Sequence, residues 1–328
     1  MTESDPTRDA AHTRSVQMLR TALGPAITEA LDDPGVAEVM LNPDGRLWLD
    51  RLDGGRAPTG VSVSAADAER IIRLVAACVR AEVHRERPLL SARLPLRGER
   101  FEGVLPPVTY APAFSIRKHA VGIFTLDDYV RDGILAPAHA AFLRAAVRER
   151  MNVVVAGGTS SGKTTFANAL LDLIADSGDR ILILEDTPEL QCRNEDRVLL
   201  CTLPGVASMA DLVRSTLRQR PDRIIVGEVR GAEALDLLKA WGTGHPGGIA
   251  TLHANSAVGA LLRLEQLTLE AASVPPRALI AEAVNVIVFL SGRGQSRRVK
   301  EIVGVTGLDG ETYRLTPIST SPATGGTP

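Results

Sequence analysis

The chain has 328 residues, of which 45% are hydrophobic and 23% charged, a composition that disfavours a disordered or fibrous protein. Its 39 acidic and 37 basic residues give a formal net charge of -2, so no global positive charge indicates nucleic acid as the main partner. Cys78, Cys192 and Cys201 form no CxxC pair, which disfavours disulfides and structural zinc and indicates a reducing compartment. The apolar runs are far shorter than a membrane span, so we expect a cytoplasmic protein whose membrane association is at most peripheral.

The first third of the chain mixes helical and strand patterns. Apolar residues recur at helical spacing in two segments, and shorter apolar runs alternate with turn sequences such as NPDG. We predict helices over 13–31 and 65–83, two strands within 36–50, and several short strands within 89–116. Residues 1–121 are therefore predicted to form an α+β N-terminal domain with a frayed N-terminus.

From residue 122 the pattern changes to continuous aliphatic strands separated by amphipathic helices. This pattern is typical of a mostly parallel sheet that helices cover on both faces. We predict strands at 152–156, 180–184, 198–202, 223–227, 248–253 and 285–290. Residues 122–328 are therefore predicted to form a larger α/β domain, whose tail from about 319 is rich in Ser, Thr, Pro and Gly and is expected to be disordered.

The segment VVVAGGTSSGKTTFANALL contains the most specific motif of the chain. Residues 157–164 match the phosphate-binding pattern G-x-x-x-x-G-K-[ST], directly after a predicted strand and at the start of a predicted helix. Lys163 is expected to neutralise the β- and γ-phosphates, and the Thr164 hydroxyl to bind Mg²⁺. We therefore predict that the nucleotide is bound by Gly157, Gly158, Thr159, Ser160, Ser161, Gly162, Lys163, Thr164 and Thr165.

The four lysines of the chain help to identify the nucleotide. Guanine-specific proteins of this class usually contain Asn-Lys-x-Asp, whereas these lysines follow Arg117, Gly162, Leu238 and Val299. The missing element favours ATP, bound with Mg²⁺, over GTP.

Two predicted strands end in carboxylates that could serve hydrolysis. Glu185 and Asp186 end one strand in LILEDTPEL, and Glu228 ends another in IIVGEVRG. The carboxyl ends of parallel strands face the ligand crevice, where hydrolysis needs an acid near Mg²⁺ and a group that positions water. The alternative is that these acids are solvated loop residues.

Four segments in a row resemble one family, the traffic ATPases of type IV secretion and conjugation. They are GGTSSGKTT, LILEDTPEL, LVRSTLRQRPDRIIVGEVRG and GHPGGIATLHANS, and the similarity extends over about residues 32–290. The resemblance implies a RecA-like P-loop NTPase domain and an ATP-driven homohexameric ring. It also implies peripheral contact with the inner face of the bacterial cytoplasmic membrane, where inner-membrane components of the secretion machine would be partners in pilus assembly or substrate transfer.

The resemblance further implies roles for individual residues. Glu185 corresponds to the acidic-box carboxylate and is expected to bind Mg²⁺ with Thr164, while Glu228 is expected to polarise the attacking water. Arg214 and Arg218 fall in the arginine-rich stretch of the family, and His253 falls in its histidine box. Arg100 and Arg117 lie where the family presents arginines to the nucleotide phosphates. Gly227 departs from the pattern, because many P-loop ATPases have Asp there.

Simpler interpretations of the outer residues stay open on sequence alone. Arg214 and Arg218 are four residues apart on a predicted helix, which is also typical of a solvated charged face. His253 could be structural, and Arg100 and Arg117 could be ordinary exposed strand residues.

Three rival functions also stay open. The first is a type II secretion or type IV pilus assembly ATPase, although three scattered cysteines cannot supply the tetracysteine zinc motif that secretion ATPases often contain. A small-molecule P-loop kinase would instead need an acceptor pocket and an arginine-bearing lid. A DNA-binding ATPase is disfavoured by the acidic charge balance.

Overall fold

The structure, a computed structural model, describes residues 6–52, 54–118, 122–203 and 205–320, with side chains from residue 13 onward. The chain divides into two compact units, Met1–Val121 and Gly122–Pro328. The predicted disordered C-terminal tail falls largely on residues 321–328, and the predicted frayed N-terminus, the first dozen residues, falls partly on residues 1–5; both ranges lie outside the described residues. Residues 6–12 of the predicted frayed segment belong to the first helix instead. In the part of the chain that the structure describes, none of the helices combines the length and apolarity needed to cross a membrane.

The N-terminal unit consists of one antiparallel sheet and two helices. Its elements are α1 (Pro6–Asp32), β1 (Val36–Leu41), β2 (Arg46–Arg51), β3 (Gly55–Ser62), α2 (Ala65–Val79), β4 (Leu89–Arg93), β5 (Arg100–Val104) and β6 (Ala113–Arg117). The strand order is β3-β2-β1-β6-β5-β4, and every pair is antiparallel. The apolar faces of α1 and α2 pack on this sheet and form the core of the unit.

Four details of this unit differ from the prediction. α1 begins at Pro6, earlier than the predicted start at residue 13. α1 is interrupted at Gly24, which has a φ of 70°, because Pro25 lacks the N–H group that a continuous helix needs. α2 ends earlier than predicted, since Arg80 adopts a left-handed conformation with a φ of 57°. β3 was not predicted because its sequence, GRAPTGVS, is mostly exposed and lacks alternating apolar residues.

The second unit is a mostly parallel α/β sheet, as predicted. Its elements are α3 (Leu126–Arg131), α4 (Pro137–Arg148), β7 (Val153–Gly157), α5 (Lys163–Asp172), β8 (Ile181–Glu185), β9 (Arg197–Cys201), α6 (Met209–Thr216), β10 (Arg223–Val229), α7 (Glu233–Gly242), β11 (Ile249–His253), α8 (Ala257–Thr268), α9 (Arg277–Ala283), β12 (Val286–Ser291), β13 (Arg298–Asp309) and β14 (Thr312–Pro317). The strand order is β14-β13-β12-β7-β11-β10-β8-β9. The six strands from β12 to β9 in this order run parallel.

Helices cover the parallel sheet on both faces, which is why its central strands are continuously apolar. β7 and β8 are buried at every position. One core lies between the sheet and α3, α4 and α5, and the other between the sheet and α6, α7, α8 and α9. The carboxyl ends of β7, β8, β10 and β11 therefore meet at one edge, where an open α/β sheet binds its ligands.

The antiparallel strands β13 and β14 were not predicted. β13 alternates charged and apolar residues at its start and pairs with β12, while β14 is the edge strand and is largely exposed. Such half-solvated strands depend on pairing with a neighbour, so their sequence shows little of the apolar character that identifies the central strands.

Candidate nucleotide-binding and catalytic site

The phosphate-binding loop connects β7 to α5, as the motif predicts. Gly162 precedes the helix with a φ of 91°, a conformation that residues with a side chain rarely adopt. No side chain in the described part of the chain caps α5, and the N–H groups of its first turn, which includes Thr164 and Thr165, lie at the loop with the positive end of the helix dipole. This arrangement binds anions.

Lys163 lies inside the loop and is only 8% exposed. Its Nζ donates hydrogen bonds to the carbonyl oxygens of Gly157 at 3.1 Å and Gly158 at 3.0 Å. These carbonyl groups hold the ammonium group across the loop, where a bound phosphate would meet it.

His253 joins the loop to the strand that carries Glu228. It is the last residue of β11 and lies directly opposite Gly157 of β7. Its Nε2 is 3.4 Å from Lys163 Nζ and 2.8 Å from Glu228 Oε1. The structure therefore brings three of the predicted residues, Lys163, His253 and Glu228, into one continuous row.

A β-bulge directs Glu228 toward this row. The register between β10 and β11 shifts between Val226 and Val229, so Gly227 and Glu228 form the irregular part of β10. The Thr251 hydroxyl of β11 donates to the Gly227 carbonyl oxygen at 2.5 Å and holds the bulge in place.

Arg230 neutralises Glu228 on its other side. It donates to Glu228 Oε2, and its second terminal nitrogen is 3.5 Å from a carboxylate oxygen of Asp186. Burial disfavours the charged guanidinium, but the hydrogen bond to Glu228 and the charges of Glu228 and Asp186 outweigh burial and raise the pKa of Arg230. The carboxylate of Glu228 therefore lies between two basic side chains, Arg230 and His253.

Glu185 occupies the position that the Gly227 side chain would otherwise fill. A Cβ atom added to Gly227 would lie 2.8 Å from Glu185 Cγ, closer than real Cβ contacts. Glu185 is 4% exposed, and its Oε1 accepts hydrogen bonds from the backbone N–H groups of Glu189 at 2.8 Å and Leu190 at 2.9 Å. The glycine in place of Asp thus makes room for a carboxylate from the neighbouring strand.

The donor set at this edge fits Mg²⁺. Mg²⁺ prefers oxygen ligands, keeps several waters, and usually binds through one or two carboxylates together with substrate phosphates. Thr164 and Glu185 offer a hydroxyl and a carboxylate of this kind. No group of three or more His, Cys, Asp and Glu side chains among the described residues is arranged to hold a metal ion.

Arg214 and Arg218 lie outside the row. Arg214 is exposed on α6, and its Nε donates to an Asp236 carboxylate oxygen on α7 at 2.9 Å. Arg218 is exposed just after α6. Their roles in nucleotide binding stay predictions.

Arg100 and Arg117 belong to the N-terminal unit, where they form part of a row across four strands. Arg93 of β4 lies opposite Arg100 of β5, Arg100 opposite Arg117 of β6, and Arg117 opposite Glu38 of β1. None of the three arginines forms a side-chain hydrogen bond or ion pair within the described part of the chain. Adjacent like charges are destabilising in a sheet, so the row is suited to an anionic ligand.

Sequence reasoning missed several residues that shape the site. Asn168 is fully buried on α5, where its Oδ1 accepts from the Gln191 N–H group at 2.8 Å and fixes the loop after Glu185. Arg230 lies two residues after Glu228 in the motif, a spacing that could have identified it. Arg293 and Arg297, in the Gly- and Arg-rich sequence SGRGQSRR, contact the phosphate-binding loop. That clustering of Gly and Arg after an apolar strand was the available signal.

Comparison with known proteins shows which family this chain resembles. The family model described as Type II/IV secretion system protein matches residues 26–292. The probable conjugal transfer protein TrbB of Sinorhizobium fredii is 50% identical over 307 residues, which cover 93% of this chain and 94% of that protein. The type IV secretion system protein PtlH homolog of Bordetella bronchiseptica is 32% identical over 340 residues, which cover 92% of this chain and 97% of that protein.

A solved structure shows the same fold. The crystal structure of the pilus retraction motor PilT with bound ADP aligns with a TM-score of 0.61 and 21% identity, over 90% of this chain and 82% of that one. At this identity the likeness shows the fold alone. The predicted fold class, a RecA-like ATPase domain preceded by a smaller α+β domain, is confirmed.

Proposed function

Since the chain belongs to the type II/IV secretion system protein family, we propose that it is the ATP-hydrolysing motor of a bacterial type IV secretion or conjugal transfer system. It would energise pilus assembly or substrate transfer. The observation that supports this most strongly is the row Lys163, His253 and Glu228, because it connects the phosphate-binding loop to a carboxylate that can act on water.

Each residue of the site has a role in this proposal. Lys163 would exchange its hydrogen bonds to the loop carbonyls for the β- and γ-phosphates. Thr164 and Glu185 would hold Mg²⁺, which neutralises phosphate charge when bound. Glu228 would orient and polarise the attacking water, and His253, in contact with both Lys163 and Glu228, would respond to the γ-phosphate.

The test of the reaction is product analysis of the full chain with ATP. We expect ADP and inorganic phosphate in equal amounts, and loss of both when EDTA removes Mg²⁺. Transfer of phosphate to a small-molecule acceptor would instead support the kinase alternative.

Glu228→Gln is expected to separate binding from chemistry. The amide keeps the shape of the side chain but removes the charge that activates water, so turnover should fall by about 10²-fold while ATP still binds. Phosphate release and calorimetric ATP titration measure the two effects. Glu195→Gln, the same change on an exposed loop, is the control. If Glu185→Gln abolishes turnover and Glu228→Gln does not, the two carboxylates have exchanged roles.

Gly227→Ala is expected to impair turnover although it adds only one methyl group. The new Cβ would displace Glu185 from its backbone hydrogen bonds, and misplacement of a catalytic group by about 1 Å can cost about 10²-fold in rate. Gly178→Ala is the matched control, because nothing lies within 4 Å of the Cβ there. Turnover equal to wild type in Gly227→Ala would show that the position of Glu185 is not critical.

The assembly is part of the proposal and follows from the family resemblance. The chain would work as a homohexameric ring in the cytoplasm, peripheral to the inner membrane, together with inner-membrane components of the machine. Light scattering of the full chain with and without ATP tests the ring, and a monomer under both conditions would contradict it.

The named relatives favour type IV secretion over the type II secretion alternative. The relatives at 50% and 32% identity have names that refer to conjugal transfer and type IV secretion. The likeness to the pilus motor, at 21% identity, supports the shared fold only.

A further inference from the structure

The turn between β12 and β13 contacts the phosphate-binding loop from the side opposite the acids. In the strand order, β12 lies on one side of β7, while β11, β10 and β8, which carry His253, Glu228 and Glu185, lie on the other. Leu290 of β12 is directly opposite Gly157. The turn that follows β12 is therefore held next to the loop by the sheet itself.

Two arginines of this turn contact the loop. Arg293 Nε donates to the Thr159 carbonyl oxygen at 3.1 Å. A Cβ atom added to Gly162 would lie 2.8 Å from Arg297 Nε and 2.9 Å from Arg297 Cζ, so the Arg297 guanidinium rests against the last glycine of the motif.

The positive charge of Arg297 is not balanced by a carboxylate in the described part of the chain. Its Nε is buried and has no hydrogen-bond partner, and among the residues that the structure describes it forms no ion pair with Asp or Glu. A buried polar group without a partner destabilises the fold, and a charged group does so more strongly. The residue is therefore suited to bind an anion that arrives at the loop.

A second unpaired polar atom lies in the same region. The hydroxyl oxygen of Tyr129 on α3 is buried and finds no hydrogen-bond partner among the described residues, and the Tyr129 ring packs edge-on against Phe166 of α5 with centroids 5.1 Å apart. Burial raises the pKa of Tyr129 to about 12, and the opposing cause is the positive charge of Arg297, which places the two groups near each other. Both therefore lie beside the first turn of α5.

The direction of the nucleotide follows from the positions of the acids. The γ-phosphate and its metal ion belong on the side of Glu185 and Glu228, so the α-phosphate and the sugar lie toward the opposite side of the loop. We propose that Arg297 is a nucleotide-binding residue that contacts the α-phosphate from the β12–β13 turn. This inference rests on the proposed function, and in it Arg293 is a positioning residue that fixes the loop through Thr159.

The test is ADP binding, because ADP lacks the γ-phosphate and its affinity does not depend on the catalytic acids. We expect Arg297→Ala to raise the dissociation constant for ADP by about tenfold or more, the size of one lost charge-assisted hydrogen bond. Arg297→Lys should recover part of the affinity because it keeps the charge. Lys300→Ala, which removes one exposed positive charge from β13, is the control and should bind ADP as the wild type does.

The unfolding temperature without nucleotide separates a ligand contact from a structural role. We expect Arg297→Ala to unfold at or slightly above the wild-type temperature without ADP, because the unpartnered buried charge is removed, and to gain less stability when ADP is added. Unchanged ADP affinity in Arg297→Ala would overturn the inference, as would a lower ligand-free unfolding temperature combined with no recovery in Arg297→Lys. If the wild-type chain itself binds neither ADP nor ATP, the proposed function fails first.

Discussion

Lys163→Ala is expected to reduce ATP turnover by about 10³-fold or more while the chain stays folded. The substitution removes the positive charge placed across the phosphate-binding loop, and with it the main neutralisation of charge on the β- and γ-phosphates. The side chain contributes hydrogen bonds to two loop carbonyls but little apolar burial, so the global fold does not depend on it. Phosphate release measures the loss of turnover, and circular dichroism with thermal unfolding measures the fold.

Lys239→Ala is the matched control for this change. Lys239 is exposed on α7, so its removal changes the net charge equally without altering the loop. Activity close to wild type in Lys163→Ala would mean that the nucleotide is hydrolysed elsewhere, and the assignment of residues 157–165 would be wrong.

The phosphate-binding loop was predictable because the features that form it are local in sequence. An apolar run that is buried on both faces, a glycine-rich loop and a helix start follow one another within residues 153–172, and the structure has the same order. The central strands of the second unit were predictable for a similar reason, since each is apolar throughout.

The contacts within the site were not predictable, because they depend on register and on residues far apart in the chain. The bulge at Gly227 and Glu228 exists only relative to β11, and no local pattern in IIVGEVRG specifies it. Arg297 reaches Gly162 across more than a hundred residues, from the turn between β12, which was predicted, and β13, which was not. Strand register depends on the hydrophobic pattern of both partners and on turn geometry, and the partly exposed strand β13 shows too little apolar pattern to reveal its pairing.

Gly227 illustrates the difference between a motif and its structural cause. The sequence shows only that Gly227 stands where many P-loop ATPases have Asp, and the resemblance implies that Glu185 and Thr164 bind Mg²⁺. The structure adds the physical reason, because the Glu185 side chain fills the space next to Gly227 and a Cβ there would collide with it. The buried position of Glu185 on the neighbouring strand therefore requires a residue without a side chain at position 227.

Arg117→Ala and Arg100→Ala are expected to reduce ATP turnover by about 10³-fold to 10⁵-fold, the range for a guanidinium that stabilises the transferring phosphoryl group. The cross-strand row places three arginines next to one another, and the one acid in the row, Glu38, lies opposite Arg117 at its end. A sheet tolerates such repulsion at a cost in stability, which an anionic phosphate group would offset.

The repulsion between the arginines distinguishes a structural role from a catalytic one, because the two roles predict opposite effects of an arginine-to-alanine substitution on the unfolding temperature. If the arginines bind phosphate, removal of one should leave the unfolding temperature equal or slightly higher, since like charges are separated, while phosphate release falls. Arg56→Ala, an exposed arginine on β3 of the same sheet, is the control and should retain full turnover. Full turnover in both Arg100→Ala and Arg117→Ala would show that the N-terminal unit contributes neither arginine to the reaction.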